Sequence, residues 1–190
     1  MLLSQKKKFI LTHIIFNWKI GMCVFLCVKN LFSKLNNCRR CIFVGLGNNM
    51  KSDDGVGVFV IEKLKEKFGD ILPNGIRLLD VGISLENYLN KIISYEPETI
   101  VFFDAVSRKE NIKEDVKLFS VADLQNYTFS THNLSLPTLI DYLKMYLSQL
   151  DVYVFGIQVE NVSIGEIFSE KVISNAEKIV EGIVEYLGAS

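Results

Sequence analysis

A chain of 190 residues suffices for one ordinary domain and falls short of two. With 49% hydrophobic and 23% charged residues it is not a disordered chain, and it can bury a sizeable core. The net charge of −1 hides an asymmetry: eight of the 21 basic residues lie in the first 40 positions, which hold no acidic residue, so 41–190 carries 13 basic against 22 acidic side chains. A body at net −9 repels a phosphate backbone, and nucleic-acid binding is not expected.

The first forty residues stand apart. FILTHIIFNW and IGMCVFLCV are apolar runs divided by Lys19, and neither reaches the roughly 20 apolar residues that span a bilayer. Lys6–Lys8 before an apolar run imitates a signal peptide, but Lys19 interrupts its core and no small-residue cleavage site stands out. Residues 1–39 are therefore read as a basic, apolar extension of uncertain status. It is a membrane-touching arm, an unusual N-terminal arm, or upstream sequence from a misassigned start, and the last is favoured over membrane contact. A single domain is expected over 40–190. All four cysteines fall early, at Cys23, Cys27, Cys38 and Cys41, and the spacing admits a four-thiolate zinc site. Cys41, opening the apolar run CIFVGLG, reads more simply as a buried core thiol, and the cysteine-free remainder fits a reducing, cytoplasmic setting.

From Arg40 onward strand and helix alternate. Cys41–Leu46 reads as a buried strand, and a helical rhythm from Val56 to Phe68 ends at Gly69. Ile76–Val81 is a second strand. Leu85 to Ile93 follows as a helix with Ser84 as its N-cap. Thr99–Ala105 reads as a central strand and Val116–Ser120 as a brief edge strand. An amphipathic helix is expected over Leu136–Leu150, a strand over Val152–Gln158 and a final helix over Ser169–Leu187. This order predicts an α/β three-layer sandwich: a twisted, mostly parallel sheet of about five strands with helices on both faces.

In such sheets function gathers beyond the carboxyl ends of the strands. Three stretches lie there: GLGNNMKSDDGVG after the first strand, Asp104 ending TIVFFD, and STHNLSLP before the helix at 136. The first begins like a dinucleotide loop at Gly45 and Gly47. Met50 replaces the third glycine, and the Asp53–Asp54 pair would repel a pyrophosphate. Capping the following helix is the simplest role for Asp53. Asp104 can bond nearby backbone N–H groups, and His132 taken alone reads as an exposed loop histidine. Together, Asp54, Asp104 and His132 each follow a different strand. Two carboxylates and an imidazole converging at one sheet edge would suit a divalent transition metal with open positions.

In order and spacing, GLGNNMKSDDGVG, LLDVGISLENYLNKI, IVFFDAV, STHNLSLPTLIDYLK and VFGIQVENV resemble the hydrogenase maturation proteases over about residues 40–187. The likeness is greatest to the type serving formate-linked hydrogenase 3 and to its archaeal relatives. The resemblance implies an endopeptidase that removes the C-terminal extension of a nickel–iron hydrogenase large-subunit precursor after nickel insertion. It places the family's metal-contacting and catalytic positions on Asp54, Asp104 and His132. From their position in the same loop alone, Gly47 and Asn48 are expected to shape the substrate's approach. Nickel would arrive with the substrate rather than be held permanently. A metal-assisted hydrolysis and an aspartic-type pair sharing one proton both fit the carboxylates. The expected partner is the precursor alone, met by a cytoplasmic monomer. The rival readings are a non-catalytic nickel chaperone and a nucleotide-binding α/β regulator.

Overall fold

The computed structural model describes residues 21–36, 38–107, 114–126, 135–165 and 167–188. In chain order these form helix α1 (21–35), strand β1 (Cys41–Leu46), helix α2 (Val56–Phe68), strand β2 (Arg77–Gly82) and helix α3 (Leu89–Tyr95). Strand β3 (Thr99–Ser107), strand β4 (Val116–Ser120), helix α4 (Leu136–Tyr146), strand β5 (Asp151–Val159) and helix α5 (Glu170–Gly188) follow. The five strands lie in the order β2-β1-β3-β5-β4. Every pairing is parallel except that of β4, which runs antiparallel along β5 at the edge. This is the layered α/β architecture expected from the alternation of elements.

The pleat sends alternate residues to opposite faces, and each face has its own core. On one face Phe43, Val101, Phe103 and Phe155 pack with α1, α2 and α5. On the other, Ile42, Val44, Phe102 and Val154 pack with α3 and α4. Strands β1 and β3 are buried on both faces, which explains their unbroken apolar runs. Aromatic rings carry much of the first core: Phe103 stacks on Phe155 at 5.4 Å and meets Phe43 edge-on at 5.3 Å.

The packed core reaches back beyond Arg40. Val24, Val28, Leu31, Phe32 and Leu35 line one side of α1 and are buried. Phe32 stacks on Tyr186 of α5 with ring centroids 4.1 Å apart, and Val28 lies against Gly182. The cysteines do not assemble around a metal. Cys38 and Cys41 are bonded to each other, so Cys41 is buried as a disulfide partner rather than as a free thiol. Cys23 and Cys27 face the Val116 carbonyl of β4 at 3.9 and 3.8 Å. Burial, followed by the Cys23 charge, pushes the Cys27 thiol up to about 11, away from the thiolate that zinc needs.

Local details depart from expectation in two places. Ser84 stands before the turn Leu85–Tyr88, but its side chain makes no capping bond, and the regular helix begins only at Leu89. Helix α4 stops at Tyr146 rather than Leu150 because Leu147 leaves helical geometry; Leu150 is nevertheless buried after the turn.

Helix α2 approaches the sheet closely enough to exclude a side chain at Gly57. A Cβ there would overlap the carbonyl oxygens of both Phe103 and Leu46. Gly57→Ala is therefore expected to destabilise the protein by about 3 kcal/mol, reversing the gain of up to ~1 kcal/mol that alanine brings to an exposed helix. Urea unfolding of the two proteins measures the difference, and equal midpoints would refute the close approach.

Candidate active site

β1 delivers the chain to the carboxyl edge of the sheet, and the turn 47–55 leads it back into α2. Gly47 has φ +129°, and a Cβ there would strike the Asp54 carbonyl, so the turn requires glycine. The Gly47 N–H donates to the Gly82 carbonyl at 3.0 Å, tying the turn to the end of β2. Ser52 is buried at φ 40°, a conformation that side chains seldom adopt. Its N–H donates to the Gly165 carbonyl beyond β5. The turn is thus held from both sides before it presents its two carboxylates.

Asp53 does not cap α2. Helix α2 starts after Gly55 with no side-chain cap bond. The Asp53 carboxylate is fully buried and turns instead toward residues 160–169. Its Oδ2 accepts from the Glu160 N–H at 3.1 Å, the Asn161 N–H at 2.8 Å and the Ser169 hydroxyl at 2.8 Å. Its Oδ1 accepts from the Ser169 N–H at 2.6 Å, just ahead of α5. Burial alone would raise its pKa. The N–H groups of Ser169, Asn161 and Glu160 and the Ser169 hydroxyl outweigh that and hold the carboxyl below its ordinary value.

Asp54 is 4% exposed, and its Oδ2 accepts from the Asn48 N–H at 3.1 Å. Asn48 braces the same turn a second time, its Oδ1 accepting from the Met50 N–H at 2.9 Å. Gly47 and Asn48 therefore shape the backbone that presents Asp54. Asp104, near the carboxyl end of β3, is wholly buried and accepts the Ala105 N–H on Oδ1 at 2.8 Å. It lies opposite Gly156 of β5, one position beyond the Phe103–Gly45 pair of β3 with β1. Because the start of α2 rests on the Phe103 carbonyl, the turn Ser52–Gly55 packs against β3. Asp54 thus sits in a turn packed against the strand that carries Asp104.

His132, the third expected site residue, lies outside the described residues. Among the described residues no group of three or more His, Cys, Asp and Glu side chains is placed to hold a metal. Gln158 is a residue that the sequence reading did not single out. It lies opposite Val106 and so on the Asp104 face of the sheet, 8% exposed. Its Nε2 is buried with no hydrogen-bond partner among the described residues. A polar residue inside the apolar run VYVFGIQV was the signal available for it.

Two surface clefts of about 570 and 640 Å³ open at the amino ends of the strands, one beside Arg77 and Tyr95 and one beside Arg40 and Asp151. Neither includes Asp54 or Asp104. Asp54 and Asp104 lie instead toward the carboxyl edge, where function gathers in sheets of this kind.

The hydrogenase maturation protease family, HycI type, matches residues 58–186, including Asp104 and His132 and beginning just after Asp54. A Methanocaldococcus jannaschii protein described as a hydrogenase maturation protease is 30% identical over 161 residues, 83% of this chain and 94% of that one. The chain belongs to the hydrogenase maturation protease family.

Solved structures agree with this assignment. The nickel–iron hydrogenase maturation protease HycI of Thermococcus kodakarensis superposes with a TM-score of 0.68 at 29% identity, covering 81% of this chain and 96% of that one. HybD of the same organism gives a TM-score of 0.61 at 26% identity, covering 78% and 98%. This protease is therefore an endopeptidase of hydrogenase maturation, and the nucleotide-regulator and metal-chaperone readings give way. No helix among the described residues is long and apolar enough to cross a membrane.

Proposed function

We propose that this protease removes the C-terminal extension of a nickel–iron hydrogenase large-subunit precursor once nickel is in place, and that the substrate's nickel is what it recognises. The observation carrying the proposal is the placement of Asp54 and Asp104. Two carboxylates from separate elements lie buried at one sheet edge, each accepting a backbone N–H. Two acids in so dry a place are costly to bury, and such groups gather at functional sites. With His132 they would supply an oxygen, oxygen, nitrogen donor set suited to a borderline metal such as nickel. Three protein donors leave positions open for ligands that the precursor supplies. Asp54, Asp104 and His132 would dock the nickel and set the scissile bond beside it. The ionised member of the pair would then orient the attacking water and take its proton, which is the aspartyl-type role. The working form is a cytoplasmic monomer.

The test incubates the protein with nickel-loaded and with nickel-free precursor and follows the size of the large subunit. The loaded precursor shortens and the nickel-free one does not. Equal shortening of both removes nickel from recognition.

A further inference from the structure

Beside the carboxylate edge the protein presents apolar side chains to solvent on a backbone that is firmly tied. Met50 is 70% exposed, Ile164 is 89% and Ile167 is 84%, and Val162 is also exposed. They come from two segments bonded side by side. The Gly165 N–H donates to the Met50 carbonyl at 2.9 Å, the Ser52 N–H donates to the Gly165 carbonyl, and Lys51 and Gly165 form a parallel bridge. The buried Asp53 carboxylate holds the second segment near both ends, through Glu160, Asn161 and Ser169. Ile83 extends the exposed apolar surface on the other side of the turn, where Gly47 is bonded to Gly82.

Exposed isoleucines scattered singly mean little; grouped at the rim of a site they mark an interaction surface. An apolar group held in place before its partner arrives loses little further freedom on binding. Neither of the two described clefts reaches the carboxylates.

We infer that Met50, Val162, Ile164 and Ile167 form a pre-set docking ridge for the folded hydrogenase large-subunit precursor, seating an apolar patch of its surface while its tail reaches Asp54 and Asp104. This rests on the processing function proposed above. The occupant is the precursor and not a second copy of this chain, because the ridge is continuous with the turn that presents Asp54. A substrate seated on the ridge lies next to the turn that carries that carboxylate.

The experiment measures processing of nickel-loaded precursor by the full-length chain over a range of precursor concentrations. The proteins compared are wild type, Ile164→Ser/Ile167→Ser and, from the opposite segment, Met50→Ser. The expected result for the double variant is a KM raised about tenfold, with kcat within about twofold of wild type and an unchanged melting temperature. Met50→Ser moves KM in the same direction. Unchanged KM in both variants, with wild type cutting normally, overturns the ridge and spares the functional reading. A wild-type dimer that the double variant splits, without a change in KM, gives the ridge to a second copy and also overturns the inference. If wild type leaves the loaded precursor uncut, the functional reading falls and takes the ridge with it.

Discussion

Asp104→Asn is expected to lower the processing rate at least ~100-fold while the melting temperature stays level or rises. The substitution keeps the shape of the side chain and leaves an oxygen to accept the Ala105 N–H, now made at 2.8 Å. What it removes is a negative charge from a position with no solvent exposure. Burying a carboxylate costs several kcal/mol, and an amide of the same shape removes that cost while keeping the bond from Ala105. The same charge is the feature that a nickel-bearing substrate or an attacking water would need. Activity lost without stability lost is the signature of a residue kept for chemistry. Asp54→Asn and His132→Ala should lower processing in the same way. The check is a time course of large-subunit shortening beside a thermal melt of each variant. If Asp104→Asn processes precursor at the wild-type rate, Asp104 has no part in the site.

The sheet and its carboxyl edge are legible in the sequence in parts. β1 and β3 declare themselves because a parallel strand buried on both faces must be apolar throughout, and Asp104 is conspicuous as the charge in such a run. The antiparallel direction of β4 was not legible, since it depends on a pairing with β5 more than thirty residues away. Helix α1 was obscured by the basic charge around it. Yet Val24, Val28, Leu31, Phe32 and Leu35 carry the helical spacing of one buried side, and that period was available to be read. Asp53 was assigned to the nearer helix by the local rule for capping. Its partners lie more than a hundred residues further on, and only the folded sheet brings α5 alongside the turn.

Asp53 should behave as the opposite of Asp104. Asp53→Asn is expected to destabilise the protein by about 3 kcal/mol, a fall of roughly 10 °C in melting temperature for a chain of this size. All four bonds to the carboxylate come from donors: the N–H groups of Glu160, Asn161 and Ser169 and the Ser169 hydroxyl. An amide has one accepting oxygen, so its NH₂ must face an N–H that wants an acceptor. The dependence on pH has a definite sign. The folded carboxyl titrates below its ordinary value of 3.8, held there by those donors against the opposing effect of burial. Its contribution is therefore complete above the ordinary value and is lost as pH falls through the lower, folded one. Wild type and Asp53→Asn should differ by a constant amount near neutrality and converge in acid. Urea melts at stepped pH test this, and a gap that widened in acid would contradict the bonding seen here. Because the same carboxylate holds residues 160–169 against the turn, the variant should also raise KM for the precursor at temperatures where it is still folded. Asp54 and Asp53, adjacent in the chain, would then separate by experiment: one needed for cutting, the other for holding the surface on which the substrate is cut.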